Sequence, residues 1–254
     1  MIDIHTHILP HIDDGAKDSA TAIAMLNMER EQGVDTLLLS PHYYGKTRSP
    51  KEFLQNRQET YEHIREQIPA DLQIRLAAEV HFTGLNPVDA DEMCSLAIEG
   101  TEYLLVEFPF TMAWSSLLLE RLSDFVSDTG YTPIVVHVER YREVQKNPAV
   151  LLQLLQMGCL LQVNTGSFLK KKGNTRERKL AYAMLKAGLV HCLGTDAHDA
   201  DGRAPDYAQA KQALERAGFS SEFEKIQENM RCILENQSIK YEYQPLKKIF
   251  GFYV

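Results

Sequence analysis

Short apolar runs alternate along the chain with longer segments in which apolar residues recur every three to four positions. The short runs are rich in Val, Ile and Leu and predict buried β-strands, whereas the longer segments predict amphipathic α-helices. The pattern predicts seven strands: Met1 to His5, "TLLLS" from Thr36, "IRLAAEV" from Ile74, "YLLVEF" from Tyr103, "PIVVH" from Pro133, "LLQVN" from Leu160 and "VHCLGTD" from Val190.

Most of the helical segments between these strands end at a glycine, which is a common stop signal for a helix. Strands that alternate with helices predict parallel pairing through crossover helices. Seven such units without a dinucleotide-type glycine fingerprint favour a barrel over an open sheet. We therefore expect one α/β domain over residues 1–254 with a short C-terminal tail at residues 244–254. The predicted helices include Ser19–Gln32, Pro50–Gln67, Ser115–Thr129, Pro148–Met157 and Arg176–Ala187.

Charge and composition restrict the kinds of partner that the chain can have. The 254 residues are 44% hydrophobic and carry a formal net charge of -8, which disfavours broad attraction to nucleic acid or anionic lipid. No apolar run reaches the roughly 18 residues of a membrane span, and no basic segment leads into an apolar one at the N-terminus. The four cysteines form no C-x-x-C pair, which fits reduced thiols. We expect a cytoplasmic protein with no nucleic-acid partner and no stable membrane insertion.

Histidines and acids fall at the ends of six of the seven predicted strands. His5 and His7 are two residues apart, so on a strand their side chains face the same way. The carboxyl ends of the strands of a parallel barrel open on one face, so residues distant in sequence would meet at one mouth. Burying so many ionisable groups together would cost several kcal/mol unless cations neutralised them. The other residues at strand ends are His42, Glu79, Glu107, His137, Asp196 and His198.

Six motifs carry a resemblance to a known superfamily. "DIHTHILPHIDDGAKD", "SPHYY", "AAEV", "VEFPF", "HVERYREV" and "GTDAHDADGR" resemble, in order and spacing, the motifs of the polymerase and histidinol phosphatase (PHP) superfamily. They are most similar to its manganese-dependent protein tyrosine phosphatases from Gram-positive bacteria, which regulate capsule and exopolysaccharide synthesis. The resemblance implies a distorted seven-stranded (β/α)7 barrel with three bound metal ions, in agreement with the number of predicted strands.

The resemblance also implies a ligand set for three divalent ions. Manganese is the first expectation, and mixed imidazole and carboxylate ligands also suit Fe or Zn, with Mg as a further alternative. Glu79 would bridge two ions, and Asp13 competes with Asp14 because the sequence alone does not choose between neighbours that face opposite ways. The implied sets are His5, His7, Glu79 and Asp196 for one ion, Glu79, Glu107 and His137 for a second, and Asp14, His42 and His198 for the third.

Two arginines and a tyrosine pair complete the implied site. Arg140 and Arg203 match the arginines that bind phosphate in the family, and a guanidinium group binds phosphate oxygens in a fork that lysine does not reproduce. They are the expected catalytic and substrate-binding residues. Tyr43 or Tyr44, in the loop "YYGKTRSP", is able to stack on a phosphotyrosine ring, and Tyr43 is the residue we assign to that role.

The implied function is hydrolysis of phosphotyrosine on a protein by a metal-activated hydroxide. An autophosphorylating bacterial tyrosine kinase is the implied phosphoprotein partner. A thiol mechanism is unsupported, because no cysteine is followed six residues later by arginine. The alternatives are a PHP phosphatase of a small metabolite such as histidinol phosphate, a PHP nuclease and a non-catalytic metal-binding scaffold. The sequence assigns no general acid.

Overall fold

The strands occur where the apolar runs predict them, but the predicted strand from Ile74 is interrupted and a further short strand follows the predicted strand from Thr36. The computed structural model describes residues 1–46, 48–83, 89–110, 113–249 and 251–253, so Thr47 of the predicted loop and Phe250 and Val254 of the predicted tail lie outside the described residues. The strands are β1 (Ile2–Thr6), β2 (Thr36–Leu39), β3 (His42–Tyr43), β4 (Gln73–Leu76), β5 (Glu79–His81), β6 (Tyr103–Glu107), β7 (Thr132–Val135), β8 (Leu160–Asn164), β9 (Cys192–Gly194), β10 (Lys248–Ile249) and β11 (Phe252–Tyr253).

Strands β1 to β9 are all parallel and form a curled sheet in two parts. One part has the order β1-β2-β4 and the other has the order β3-β5-β6-β7-β8-β9. Backbone hydrogen bonds from His7 to Ala197 (2.9 Å) and from Asp196 to His5 (2.9 Å) bring the chain after β9 back to β1. The sheet therefore curls toward itself, and the loops after its strands gather at one end.

The described residues form nine parallel strands where the sequence predicts seven, because the predicted strand from Ile74 divides into β4 and β5 and the short strand β3 follows the predicted strand from Thr36. Pro41 separates β2 from β3 and has no N–H to donate, so the strand breaks there. The carbonyl of Pro41 still accepts a hydrogen bond from the N–H of Glu79 (3.0 Å). The residues between β4 and β5 interrupt the neighbouring strand at the same level. Both breaks lie directly before residues that the sequence predicts as metal ligands.

The helices pack around the outside of the sheet, and local sequence explains several of their ends. Ser49 and Glu52 form a capping box at the start of the second helix, and Gly130 ends the fourth with φ of 73°. The helices are α1 (Ser19–Glu31), α2 (Pro50–Ile64), α3 (Ala90–Cys94), α4 (Ser116–Thr129), α5 (Arg142–Lys146), α6 (Val150–Gln156), α7 (Thr175–Lys186), α8 (Tyr207–Arg216) and α9 (Ser220–Leu234).

The core lies between the sheet and these helices, and the C-terminal hairpin packs outside it. Among the described residues, no helix is long and apolar enough to cross a membrane. Strands β10 and β11 form an antiparallel hairpin in which Lys248 pairs with Tyr253. The hairpin contacts α5, because the Lys248 ammonium and the Tyr253 hydroxyl both donate to the carbonyl of Gln145. This contact places the predicted tail beside the strand-end loops.

Candidate metal centre

His5, on strand β1, and His7, directly after it, lie on the inside of the curled sheet. The ring nitrogens Nε2 of His5 and His7 are only 3.1 Å apart, and both residues are fully buried. The chain then turns back, and the N–H of Ala16 donates to the carbonyl of His7. Only glycine fits in this turn at position 15, because a Cβ there would lie 2.0 Å from the His7 carbonyl oxygen. The turn brings both aspartates of the "DDG" segment to the site.

Glu79, the first residue of β5, lies at the centre of the cluster. Its Oε2 atom is 3.4 Å from Nε2 of His5, 3.3 Å from Nε2 of His7 and 2.7 Å from Nδ1 of His42. Its Oε1 atom is 2.9 Å from Nε2 of His137. One carboxylate thus contacts four imidazoles from three separate chain segments. These residues are far apart in the sequence, and they meet because the parallel strands that carry them end side by side.

Asp14, His42 and His198 form the outer side of the cluster. Oδ1 of Asp14 is 3.3 Å from Nε2 of His42 and 3.5 Å from Nε2 of His198. Asp13 instead bonds Nδ1 of His7 at 2.7 Å and accepts the backbone N–H of His42 at 2.9 Å. The two aspartates therefore differ in position: Asp14 faces the open cluster, and Asp13 fixes the orientation of His7.

Glu107, His137 and Asp196 occupy the ends of β6, β7 and β9 or the residues just after them. Oε1 of Glu107 is 3.6 Å from Nε2 of His137. His137 and Asp196 both have backbone φ in the left-handed region, at 37° and 54°. Non-glycine residues held in this region cost about 1–3 kcal/mol and are concentrated at functional sites. The surrounding structure therefore holds both side chains at a conformational cost.

Burial and neighbouring side chains of the cluster shift the pKa values of several of its residues. Burial by itself raises the pKa of Glu79, but the imidazoles of His5, His137 and His42 outweigh burial and hold that pKa well below its usual range. Asp13 behaves in the same way, since hydrogen bonds from His7 and from backbone N–H groups lower its pKa to about 2 against the effect of burial. Burial and the neighbouring His7 lower the pKa of His198 to about 4. Glu79 and Asp13 are thus ionised at neutral pH.

Several polar residues that the sequence does not single out hold the candidate ligands in place. Gln162 Oε1 lies 3.3 Å from Nδ1 of His5 and accepts the N–H of His137 at 2.8 Å. Asn164 donates to Oδ2 of Asp196 at 2.9 Å. Gln162 and Asn164 lie two residues apart on β8 and therefore face the same way, but this spacing alone does not single them out as partners of metal ligands. Such supporting bonds orient metal ligands and tune their basicity.

Both predicted arginines reach the cluster. Arg140 donates to Oδ2 of Asp196 at 2.7 Å, and Arg203 lies 3.1 Å from the same oxygen. The Phe110 ring, which stacks on His137, also lies 4.7 Å below the guanidinium carbon of Arg140. The Arg140 and Arg203 side chains are 34% and 43% exposed, so both are accessible to a ligand that enters from solvent.

The assignment of Tyr43 to ring stacking is wrong, and Tyr44 occupies the suitable position. Tyr43 is 2% exposed, packs on Phe53 and donates its hydroxyl to the carbonyl of Arg48. Tyr44 is 48% exposed, with ring centroids 5.2 Å from His42 and 5.6 Å from His81. Successive residues of a strand face opposite ways, so Tyr44 returns to the side of His42.

The thiols contribute nothing to this centre. All four cysteines are free, and Cys159 and Cys192 are buried in the core. Burial raises the pKa of Cys159 to about 12 and raises that of Cys192 further. Since the thiolate is the nucleophilic form of cysteine, these residues are inert at neutral pH.

The donor set fits divalent metal ions. Four buried atoms of the cluster make no hydrogen bond within the part of the chain that the structure describes: Nδ1 of His42, Oε2 of Glu79, Nδ1 of His137 and Nε2 of His198. Facing lone pairs of imidazole and carboxylate groups need a cation between them. The side chains fall into four groups whose donor atoms lie within 4.8 Å of one another: His7, Asp14, His42 and His198; His5, His7 and Asp196; His5, Glu79 and His137; and His42, Glu79 and Glu107.

Comparison with known sequences identifies relatives over the whole chain. The sequence profile of the family "Capsular polysaccharide synthesis, CpsB/CapC" matches residues 1–235. The tyrosine-protein phosphatase YwqE of Bacillus subtilis is 33% identical, with all of both chains aligned. The tyrosine-protein phosphatase CpsB of Streptococcus agalactiae serotype III is 29% identical over 94% of this chain and 100% of its own.

Comparison with solved structures identifies proteins that share the fold. A structure from the study of B. subtilis YwqE and Streptococcus pneumoniae CpsB, described as metal-dependent tyrosine phosphatases, superposes with a TM-score of 0.84 and 31% identity over 98% of this chain and 100% of the other. A lactonase template engineered for organophosphate hydrolysis has a TM-score of 0.54 and 14% identity over 92% and 94% of the two chains. This second likeness concerns the fold alone.

Proposed function

The chain belongs to the CpsB/CapC family of capsular polysaccharide synthesis proteins, and from this membership we propose that residues 1–254 are a metal-dependent protein tyrosine phosphatase. Relatives over its full length are named tyrosine-protein phosphatases. The observation that supports the proposal most strongly is the convergence of imidazoles and carboxylates from separate segments between His5 and His198 around Glu79. Such a cluster suits hydrolysis of a phosphate monoester.

The cluster would hold three divalent ions, with manganese as the first candidate. The outer group of Asp14, His42 and His198 matches one proposed ion, and the other two would share Glu79. Bound divalent ions lower the pKa of water toward neutrality and offset the charge of phosphoryl oxygens. The remaining proposed ligands are His5, His7, Glu107, His137 and Asp196.

The side chains around the cluster would bind the phosphotyrosine group. Arg140 and Arg203 both approach Asp196, and their guanidinium groups would hold the non-bridging phosphate oxygens as charge develops on them. Tyr44 would stack on the phenyl ring of the substrate. These contacts orient the phosphate over the cluster, and orientation is a large part of catalysis of phosphoryl transfer.

The exposed rim favours a protein substrate over a small metabolite. Tyr44, Arg140 and Arg203 are each at least one-third exposed, so the described rim leaves the phosphate-binding groups open to a chain segment. A metabolite enzyme would instead cover its substrate, as pockets for small ligands do. The proposed partner is an autophosphorylating bacterial tyrosine kinase, and the proposed location is the cytoplasm.

A metal add-back experiment tests the proposal. Protein stripped of metal receives Mn, Fe, Zn or Mg separately and is assayed with a tyrosine-phosphorylated peptide beside histidinol phosphate. We expect restored turnover of the peptide, highest with manganese, and weak turnover of histidinol phosphate. Faster turnover of histidinol phosphate would favour the small-molecule phosphatase, and no turnover with any of the four ions would refute the enzymatic function.

A further inference from the structure

A basic groove lies beside the loop that carries Arg140. The groove has a volume of about 660 Å³ and is bounded by α5, the start of α7 and the C-terminal hairpin. Among the described residues that line it, none is acidic. Its cations are Arg142, Lys146, Arg176, Lys179 and Lys248. Five cations around one groove contrast with the net charge of -8 for the whole chain.

These five cations form no ion pair among the described residues. Within the described ranges, none of the five lies within 4.0 Å of a carboxylate oxygen, although Arg140 and Arg203 both pair with Asp196. The Lys248 ammonium donates to a backbone carbonyl and lies 5.3 Å from the centre of the Tyr253 ring. Neither contact supplies a negative charge. Like charges held together in one groove repel one another, so the groove attracts an anion.

Gln145 connects the groove to the phosphate-binding loop. The side-chain amide of Gln145 donates to the backbone carbonyl of Glu139 at 2.9 Å. The backbone carbonyl of Gln145 accepts a hydrogen bond from the Lys248 ammonium at 2.6 Å. Arg142 follows Arg140 by two residues, so their Cα atoms are at most about 8 Å apart. Lys146 lies about 6 Å further along α5. The groove therefore starts close to Arg140 and leads away from it.

We propose that this groove binds anionic groups of the phosphoprotein segment next to the phosphotyrosine. The inference rests on the proposed function and specifies its substrate class: a peptide with carboxylates or a second phosphate about two to five residues from the phosphotyrosine, given about 3.3 Å per extended residue. Arginine and lysine recognise both kinds of anion. A concave groove of this size fits a peptide, whereas a flat lipid surface does not enter it and a nucleic acid needs a longer basic track.

Three phosphotyrosine peptides test the proposal. One carries glutamates two to five residues from the phosphotyrosine, one carries glutamines in their place, and one carries a second phosphotyrosine at that spacing. The values of kcat/KM are measured with manganese-loaded full-length protein at low and high ionic strength. We expect the two anionic peptides to exceed the glutamine peptide about tenfold at low salt, mainly through KM, and the difference to shrink at high salt.

A charge-reversal variant locates the effect. In Lys146→Glu/Lys179→Glu the preference for anionic peptides should disappear, while kcat/KM for a small aryl phosphate, which does not extend into the groove, stays within about twofold. The matched control is Arg216→Glu/Lys240→Glu, which makes the same change of net charge at exposed positions outside the groove. The control should keep the full preference.

The outcomes separate this inference from the proposed function. Equal kcat/KM for the three peptides in the unmodified protein, or a preference that survives in Lys146→Glu/Lys179→Glu, would overturn the groove while leaving the phosphatase intact. A groove variant that instead loses binding to phosphatidylserine vesicles or to a single-stranded oligonucleotide, with peptide kinetics unchanged, would assign the groove to another partner. Failure of every aryl and peptidyl phosphate to turn over would refute the phosphatase itself.

Discussion

Glu79 is the side chain on which the candidate centre depends most, because its two oxygens touch His5, His7, His42 and His137. Glu79→Gln keeps the shape but removes the negative charge that a shared ligand supplies. We expect kcat on a phosphotyrosine peptide to fall more than about a hundredfold, with loss of bound metal measured by elemental analysis. Glu59→Gln, at an exposed position of α2, serves as the control and should retain both; full activity and metal content in Glu79→Gln would contradict the bridging role.

Tyr43 and Tyr44 provide a paired test of substrate stacking. Tyr43→Ala removes a buried ring and should lower stability by about 3 kcal/mol, seen as a fall in Tm of several degrees. Tyr44→Ala removes an exposed ring and should leave Tm nearly unchanged while raising KM for a phosphotyrosine peptide about fivefold, the usual value of an aromatic contact. Tyr44→Phe keeps the ring and should behave like the unmodified protein. A KM unaffected in Tyr44→Ala would exclude stacking.

The turn between β1 and α1 shows how an element end shapes the centre. Gly15 lies where a Cβ would meet the backbone and Cβ of His7 at 2.0 and 2.7 Å, so Gly15→Ala should displace the loop that carries Asp13 and Asp14. We expect at least a tenfold loss of metal affinity, measured by titration of the stripped protein. In Gly218→Ala the φ of +84° is unfavourable for alanine, but the new Cβ meets no atom within 4 Å, so only stability should fall, by about 1 kcal/mol. Equal effects of the two substitutions would exclude a specific role for the turn.

The elements themselves were largely predictable, because their signals are local. The apolar run from Tyr103 predicts β6, and Ser115 and Gly130 mark the ends of α4. The break in the predicted strand from Ile74 and the additional strand β3 were not predicted, since they depend on the hydrogen bond between Pro41 and Glu79 across the sheet. Tyr43 shows the same limit at a single position: a strand of two residues gives too short a pattern to show which of its faces is buried.

The metal centre is a property of the whole molecule, and only its outline is visible in the sequence. The ends of parallel strands predict which residues meet, and the structure brings all nine proposed ligands together. The residues that hydrogen-bond to these ligands were not predicted. The contacts of Gln162 and Asn164 with the ligands are visible only once β8 is packed between β7 and β9. The role of such a polar side chain depends on the residues it contacts in the folded protein, so a single sequence does not reveal that role.

His191, just before β9, links the stability of the whole molecule to pH. Burial lowers the pKa of His191 to about 3, and the N–H of Leu161 donates to its Nδ1 atom. The folded state therefore binds fewer protons there than the unfolded state, whose pKa is near 6.5. Stability is complete above pH 6.5 and is lost as the pH falls from 6.5 toward 3, by about 2 kcal/mol at pH 5.

Urea unfolding of the metal-free protein across this pH range measures the contribution. His191→Asn retains an acceptor for the Leu161 N–H but has no titrating group, so the decline in unfolding free energy between pH 7 and pH 5 should be about 2 kcal/mol smaller than in the unmodified protein. The comparison uses the slope, which is independent of any constant loss from the smaller side chain. His63→Asn removes an exposed histidine of α2 and should leave the slope unchanged. An unaltered slope in His191→Asn would mean that other buried groups cause the acid sensitivity.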